Sequence, residues 1–372
     1  GGEPAELTKV VSERLLRHDQ EFRTDDAQRS AFRVALARAL WEVCRRCDDG
    51  TLEPELKAAM AAKAFGLRYS DEQELRTAWE PLWQELCPST SAAVERHHRE
   101  ICSELSEAFV DSISRSEKVT MAKAVSALCT QLEKLSPRPK WGEDAAVTAL
   151  HQAVFKAVQS LPIFDGTGAL LGALGDLSAL LYRRKRGEAS TSKPAPDENS
   201  SGLTLLLSFS SRGSLTDRAA AVRAAMGLTD AARLWPPLTE VAQLHATSVA
   251  RVDELQAEVE QEKREPGEAV PVRHRGKAQS PAEEFLTATL DMWATTVEQC
   301  YREAEDEGDL EPPEIEELSA FIVASLAEFR ACSLTLRLAI LRLWKRVFAH
   351  LAEQRIAACS RLRPELWAEV LA

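Results

Sequence analysis

From Ser91 onward, Val94, His98, Ile101, Leu105 and Phe109 recur at intervals of three and four residues. After a polar turn from Asp111 to Ser116, Met121, Val125, Leu128, Leu132 and Leu135 repeat the spacing until Pro137 and Pro139 stop it. A period near 3.6 puts each set on one face of a helix. Two helices with one apolar stripe apiece cannot hide both stripes alone, so they must pair with each other and with neighbours. No other feature constrains the chain as tightly.

The pattern continues on both sides. Val147, Leu150, Val154 and Val158 precede a break from Pro162 to Gly168, and Leu170, Leu171, Leu174, Leu177 and Leu181 follow it. Upstream, Leu7, Val10, Val11, Arg14, Leu15 and Phe22 sketch an opening helix, and Asp25-Asp26 starts a second through Phe32, Leu36, Leu40 and Val43 to about Cys47. Asp49-Gly50 breaks that helix; Pro54 opens a third, Glu55 to Phe65, which Gly66 is expected to close. Ser70 with Gln73 is a capping-box pattern for a fourth, through Leu75, Trp79, Leu82 and Trp83. Successive pairs lie roughly 40 to 50 residues apart, the period of HEAT or armadillo units. The expected fold class is therefore all-α, an α-solenoid of HEAT-like antiparallel helix pairs.

Two stretches interrupt the series. Residues 187–202 and 265–281 hold too little apolar content to offset the entropy of ordering them. They divide the chain into helical repeats over 1–186, a linker over 187–202, a helical segment over 203–264, a second linker over 265–281, and C-terminal helices over 282–372. Leu203 to Phe209 is ambiguous between helix and strand. The C-terminal helices are marked by Phe285, Leu286, Leu290, Trp293 and Val297; by Ile315, Leu318, Ile322, Leu326 and Phe329; by Leu334, Leu338, Leu341, Val347, Phe348 and Leu351; and by a closing segment from Arg361 to Leu371.

A net charge of −12 argues against a broad nucleic-acid surface, which needs clustered positive charge. The eight Cys are scattered among apolar residues at helical spacing, which implies no disulfide framework and favours a reducing compartment. The most apolar stretch, Ala169 to Tyr182, is too short to span a membrane and carries Asp176, so direct membrane insertion is not expected. The start at Gly1-Gly2 reads as that of a fragment of a longer protein.

One run of residues resembles a known family. Ala62-Lys63-Ala64-Phe65-Gly66, an acidic spacer (Asp71, Glu72, Glu74), Trp79-Glu80-Pro81-Leu82-Trp83-Gln84-Glu85 and Pro88 are similar to a signature in the C-terminal half of the large HEAT-repeat proteasome adaptor and scaffold family. That family bridges the core and regulatory particles of the 26S proteasome. The likeness continues through Glu104, Ala108, Ser112, Ser114 and Lys118 to Ala127, where Ser116 or Glu117 stands in place of the family's Trp. It extends through Val147 to Leu150, Gln152, and Phe164-Asp165-Gly166 with Leu170, Leu171 and Ala173, Phe164 standing where Trp is usual. It covers Leu56 to about Leu181. The resemblance implies an adaptor without catalytic residues or cofactors, with proteasome core and regulatory particle subunits as partners. It implies cytoplasmic and nuclear location, with association to endoplasmic reticulum or endosomes through partners. A HEAT-type scaffold of another pathway, such as transport or trafficking, is the alternative.

The residues with chemical potential read mostly as structure. Cys44-x-x-Cys47 lacks two further zinc ligands. His97-His98, adjacent on a helix, point about 100° apart and suit no shared metal. Gly166-Thr167-Gly168 lacks the residues of a phosphate loop, and Gly172 and Gly175 read as sites of close helix packing. Trp79, Trp83 and Trp235 read as packing residues, while Trp141 is a candidate partner anchor. Arg183, Arg184, Lys185 and Arg186 end a helix, where cations face the macrodipole favourably, and form a second candidate contact for an acidic partner or import receptor. Phosphate on Ser190, Ser192, Ser200 or Ser201 would weaken that cluster's charge. The acidic run Glu303 to Glu311 reads as a solvated inter-helix loop.

Overall fold

The structure, a computed structural model, describes residues 16, 26–46, 52–111, 114–135, 141–160, 167–182, 196–232, 236–262, 281–307, 321, 324–325, 337–338 and 340–345. Among them there is helix and no strand. The chain divides into two compact units, Gly1–Leu205 and Leu206–Ala372.

In the first unit the helices are α1 (Asp26–Arg46), α2 (Pro54–Leu67), α3 (Gln73–Leu86), α4 (Thr90–Asp111), α5 (Arg115–Leu132), α6 (Ala145–Ser160) and α7 (Thr167–Tyr182). Short connections fold α2 on α3, α4 on α5 and α6 on α7 as antiparallel pairs. The pairs then stack in chain order. In one layer α2 packs on α4 and α4 on α6; in the other α1 packs on α3 and α5 on α7. This serial packing makes the unit a HEAT-like stack. The second layer has one break: α3 and α5 do not pack to a comparable extent, and α5 leans on α2 instead.

The stripes end up where the spacing puts them. Val94, Ile101, Leu105 and Phe109 on α4, Met121, Val125, Leu128 and Leu132 on α5, and Leu170, Leu171, Leu174 and Leu177 on α7 are all buried. His98 is only half-buried. Backbone angles at His97 (φ −118°, ψ 16°) kink α4 one residue earlier.

Several local expectations change. Gly66 does not close its helix: α2 runs to Leu67, and Arg68 follows as a right-handed cap. A Cβ on Gly66 would sit 3.4 Å from Met121 Sδ and 3.5 Å from Leu105 Cδ2, so this glycine serves close packing against α4 and α5. Gly172 is the reverse case, because nothing lies within 4 Å of where its Cβ would be. Ser70 makes no capping box; its hydroxyl accepts from Glu72 N–H (3.2 Å), and Glu72 is the residue before α3. Pro81 lies inside α3 and cannot donate to the carbonyl one turn back.

Helix α8 (Pro196–Phe209) begins inside the stretch expected as a linker and includes the ambiguous Leu203 to Phe209. Pro196 suits a first helical position, and Leu206 and Phe209 are buried. The second unit holds α9 (Leu215–Ala232), α10 (Leu238–Glu262) and α11 (Pro281–Glu307). Ser214 opens α9 by accepting from Asp217 N–H (3.2 Å) and donating to Asp217 Oδ2 (2.6 Å). Both α9 and α10 pack on α11, so the segments placed on either side of 265–281 form one unit. Lengthening a connection costs little entropy, whereas burying three stripes together gains much more. Phe285, Leu286, Leu290, Trp293 and Val297 are buried on α11. That helix runs to Glu307, into the acidic run expected as a loop.

Leu338 and Leu341, expected in the core, are 47% and 44% exposed, while Ile340, Leu343 and Trp344 are buried. The inward face is therefore rotated from the leucine pattern toward Trp344, whose indole N–H donates to Ser325 Oγ at 2.7 Å. The helices expected over Leu7 to Phe22 and Arg361 to Leu371 lie outside the described residues, apart from Leu16.

Candidate functional site

Trp141 opens a 3-10 turn, Trp141–Glu143, that packs against α6 and α7. Its indole is 7% exposed and meets the edge of His98 at 5.5 Å, so it packs inside the stack and leaves almost nothing for a partner. Asp144, next in sequence, caps α6 by accepting from Ala146 N–H (2.9 Å) and Val147 N–H (3.3 Å). His98 Nε2 lies 3.2 Å from Asp144 Oδ2. Burial alone would push the Asp144 carboxyl up, but His98 and the two amides outweigh it and hold it below the usual range. A Cβ on Gly142 would stand 3.0 Å from Leu181 O, so the turn sits against the end of α7. Arg183, Arg184, Lys185 and Arg186 follow immediately and lie outside the described residues, as do Cys47, Trp235 and Gly166.

Several of the residues that carry the family resemblance are core and inter-helix contacts. Trp79, Leu82 and Trp83 are buried, and Phe65 meets Trp83 edge-on at 5.3 Å. The Arg68 guanidinium lies over Trp83 (5.0 Å) and Tyr69 (5.3 Å), with Nε 3.2 Å from Glu80 Oε2. Burial pushes the Tyr69 phenol up, and Arg68 pulls it partly back. Lys63 pairs with Glu104 at 2.8 Å, which joins α2 to α4. Lys123 pairs with Asp71, which joins α5 to the turn before α3. Each of these pairs links one block of the resemblance to the next.

One polar assembly has no local signal in the sequence. Arg29 Nη1 and Arg33 Nη2 on α1 reach the two oxygens of Glu117 on α5 at 2.9 and 2.7 Å. Arg33 and Glu117 are buried. Ser30 donates to Glu72 beside them. These groups line a cavity of about 50 Å³, together with Leu67, Leu75 and the hydroxyls at the start of α5. Small-molecule pockets take roughly 300–1,000 Å³, so this one admits water and little else. Its carboxylates, Glu117 and Glu72, balance its two arginines.

Other titratable groups are turned inward. Burial pushes the Cys87 thiol up to about 11, Cys102 to about 12 and Cys129 well above its ordinary value, so these thiols are small apolar fillers. His151 Nε2 lies 2.9 Å from Ser178 Oγ across the α6–α7 pair. In the second unit His245 Nδ1 lies 2.9 Å from Thr289 Oγ1, while the Thr289 hydroxyl hydrogen goes to Leu286 O. The donor between them is therefore His245 Nδ1–H. Burial lowers both histidines to about 4. Among the described residues no group of three His, Cys, Asp or Glu side chains is placed to hold a metal, and no helix is long and apolar enough to cross a membrane.

Neither a family model nor a curated protein sequence matches the chain. Among solved structures, importin beta in an ammonium sulfate condition is similar over 94% of this chain and 41% of its own, at 14% identity and a TM-score of 0.48. The chain thus spans less than half the length of that structure.

Proposed function

We propose that the chain is a proteasome-binding adaptor and scaffold, a protein that works by holding others. The observation that carries this reading is the pairing of Lys63 with Glu104 and of Lys123 with Asp71. Residues that resemble the proteasome-adaptor signature sit at contacts between one helix pair and the next, which supports reading the signature as one that builds the stack. A stack of that kind presents broad helical faces, and recognition then rests on shape and charge over a standard-sized interface. Two partners held on one semi-rigid body meet at raised effective concentration. Core and regulatory particle subunits are the partners this reading names, met in the cytoplasm and nucleus, with membranes reached only through them.

The test is affinity capture of the tagged chain from cell extract, with quantitative mass spectrometry. The expected result is enrichment of 26S proteasome subunits over a scrambled-surface control. Enrichment of transport receptors or coat components without proteasome subunits would sink the reading and favour a trafficking scaffold.

A further inference from the structure

We propose that the first unit bends at one place, between α3 and α5, with the ion pairs of Glu117 as the clasp. The layer formed by α2, α4 and α6 is continuous. The opposite layer is not: α1 packs on α3 and α5 on α7, but α3 and α5 are left without comparable packing. Beside the break α5 leans on α2, with Met121 against Gly66; the links that run from α5 to α1 and to the turn before α3 are ion pairs. Arg29 and Arg33 cross it to Glu117, Lys123 crosses it to Asp71, and the cavity of about 50 Å³ lies along it.

A joint of this composition opens differently from an apolar one. Separating charged groups beside a water-sized cavity exchanges ion pairs for hydrated ions, which returns the desolvation penalty they carry when buried. Separating α5 from α7 would instead expose apolar side chains with no ion pairs to rehydrate. Bending therefore concentrates at the polar joint, with the α2–α4 contact as its axis. Gly66 keeps that axis tight, because α2 comes within van der Waals reach of Leu105 and Met121 there. The cavity is no anion site, since Glu117 and Glu72 already neutralise its arginines.

Spin labels introduced as noncanonical residues, which spare the buried thiols, read the joint in the full chain. One pair, Thr77 on α3 and Thr130 on α5, spans the break; a control pair, Glu100 on α4 and Lys156 on α6, spans the continuous layer. All four positions are exposed. In Glu117→Gln the Thr77–Thr130 distance distribution is expected to lengthen and broaden while the control pair stays unchanged. The double variant Arg29→Gln/Lys123→Ala, which keeps Arg33 paired with Glu117, is expected to give the same change at smaller amplitude. An unchanged Thr77–Thr130 distribution in whichever of these variants folds, or equal broadening of both pairs, would overturn the hinge.

Discussion

Helix α5 is held on two sides by opposite means. Toward α7 the contact is mainly apolar: both helices carry buried apolar side chains, with Ala122 and Cys129 on the side of α5 where Ser126 bonds to Asp176. Toward α1 and α3 the contact is Arg29, Arg33 and Glu117, with Lys123 on Asp71 further along. An apolar joint is strong and tolerant in direction, because burial energy scales with area and not with angle. An ion-paired joint is specific and reversible, because its parts are stable in water as well as together. A stack that needs both fixed repeats and an adjustable spacing gains by having one of each.

Five variants break or sharpen that contrast. The largest effect belongs to Glu117→Gln, which removes the buried carboxylate that Arg29 and Arg33 share; a loss of about 3–5 kcal/mol by urea denaturation is expected. Replacing Arg33 and Glu117 together with Met and Leu should recover most of that loss, and failure to do so would mean that the pair stabilises more than its desolvation costs. Leu128→Ala in the buried apolar stripe of α5 should cost about 2–5 kcal/mol, and its cost should be indifferent to salt. Acid comes next. His151 is neutral in the folded chain because burial lowers it to about 4, while the unfolded chain titrates near 6.5. The unfolded state therefore binds the extra proton, and stability contributed by neutral His151 falls as pH drops from about 6.5 toward 4. A loss of about 1–2 kcal/mol by pH 5 is expected, and His151→Phe should blunt the acid sensitivity in thermal melts. The smallest effect is Lys123→Ala: its pair with Asp71 is largely exposed, so a change below about 1 kcal/mol is expected, and high salt should erase it.

The apolar joint was legible in the sequence and the polar one was not. The stripes on α4, α5, α6 and α7 are local periodicities, and an apolar residue every three or four positions has only one way to be buried. Glu117 and Arg33 are 84 residues apart, and nothing in either neighbourhood names the other. Lys63 and Glu104 both fall within the resemblance to the proteasome-adaptor family, yet their pairing depends on how α2 meets α4. Trp141 looked like an anchor because it follows a proline break, and the turn it opens folds it inward against His98. Leu338 and Leu341 looked like core because leucine usually is; the buried face is set by Trp344, which finds Ser325. Single residues of this sort are decided by tertiary packing, which a periodicity does not contain.

The 88 residues between Arg29 and Glu117 also set an order of events. A ribosome extends a chain by about 5–20 residues per second, so α1 emerges on the order of ten seconds before the carboxylate that neutralises it. During that interval Arg29 and Arg33 lack their shared carboxylate, while α3 is already made for α1 to settle against. A nascent chain stalled ahead of Arg115 would thus hold α1 against α3 with the clasp's carboxylate still to come.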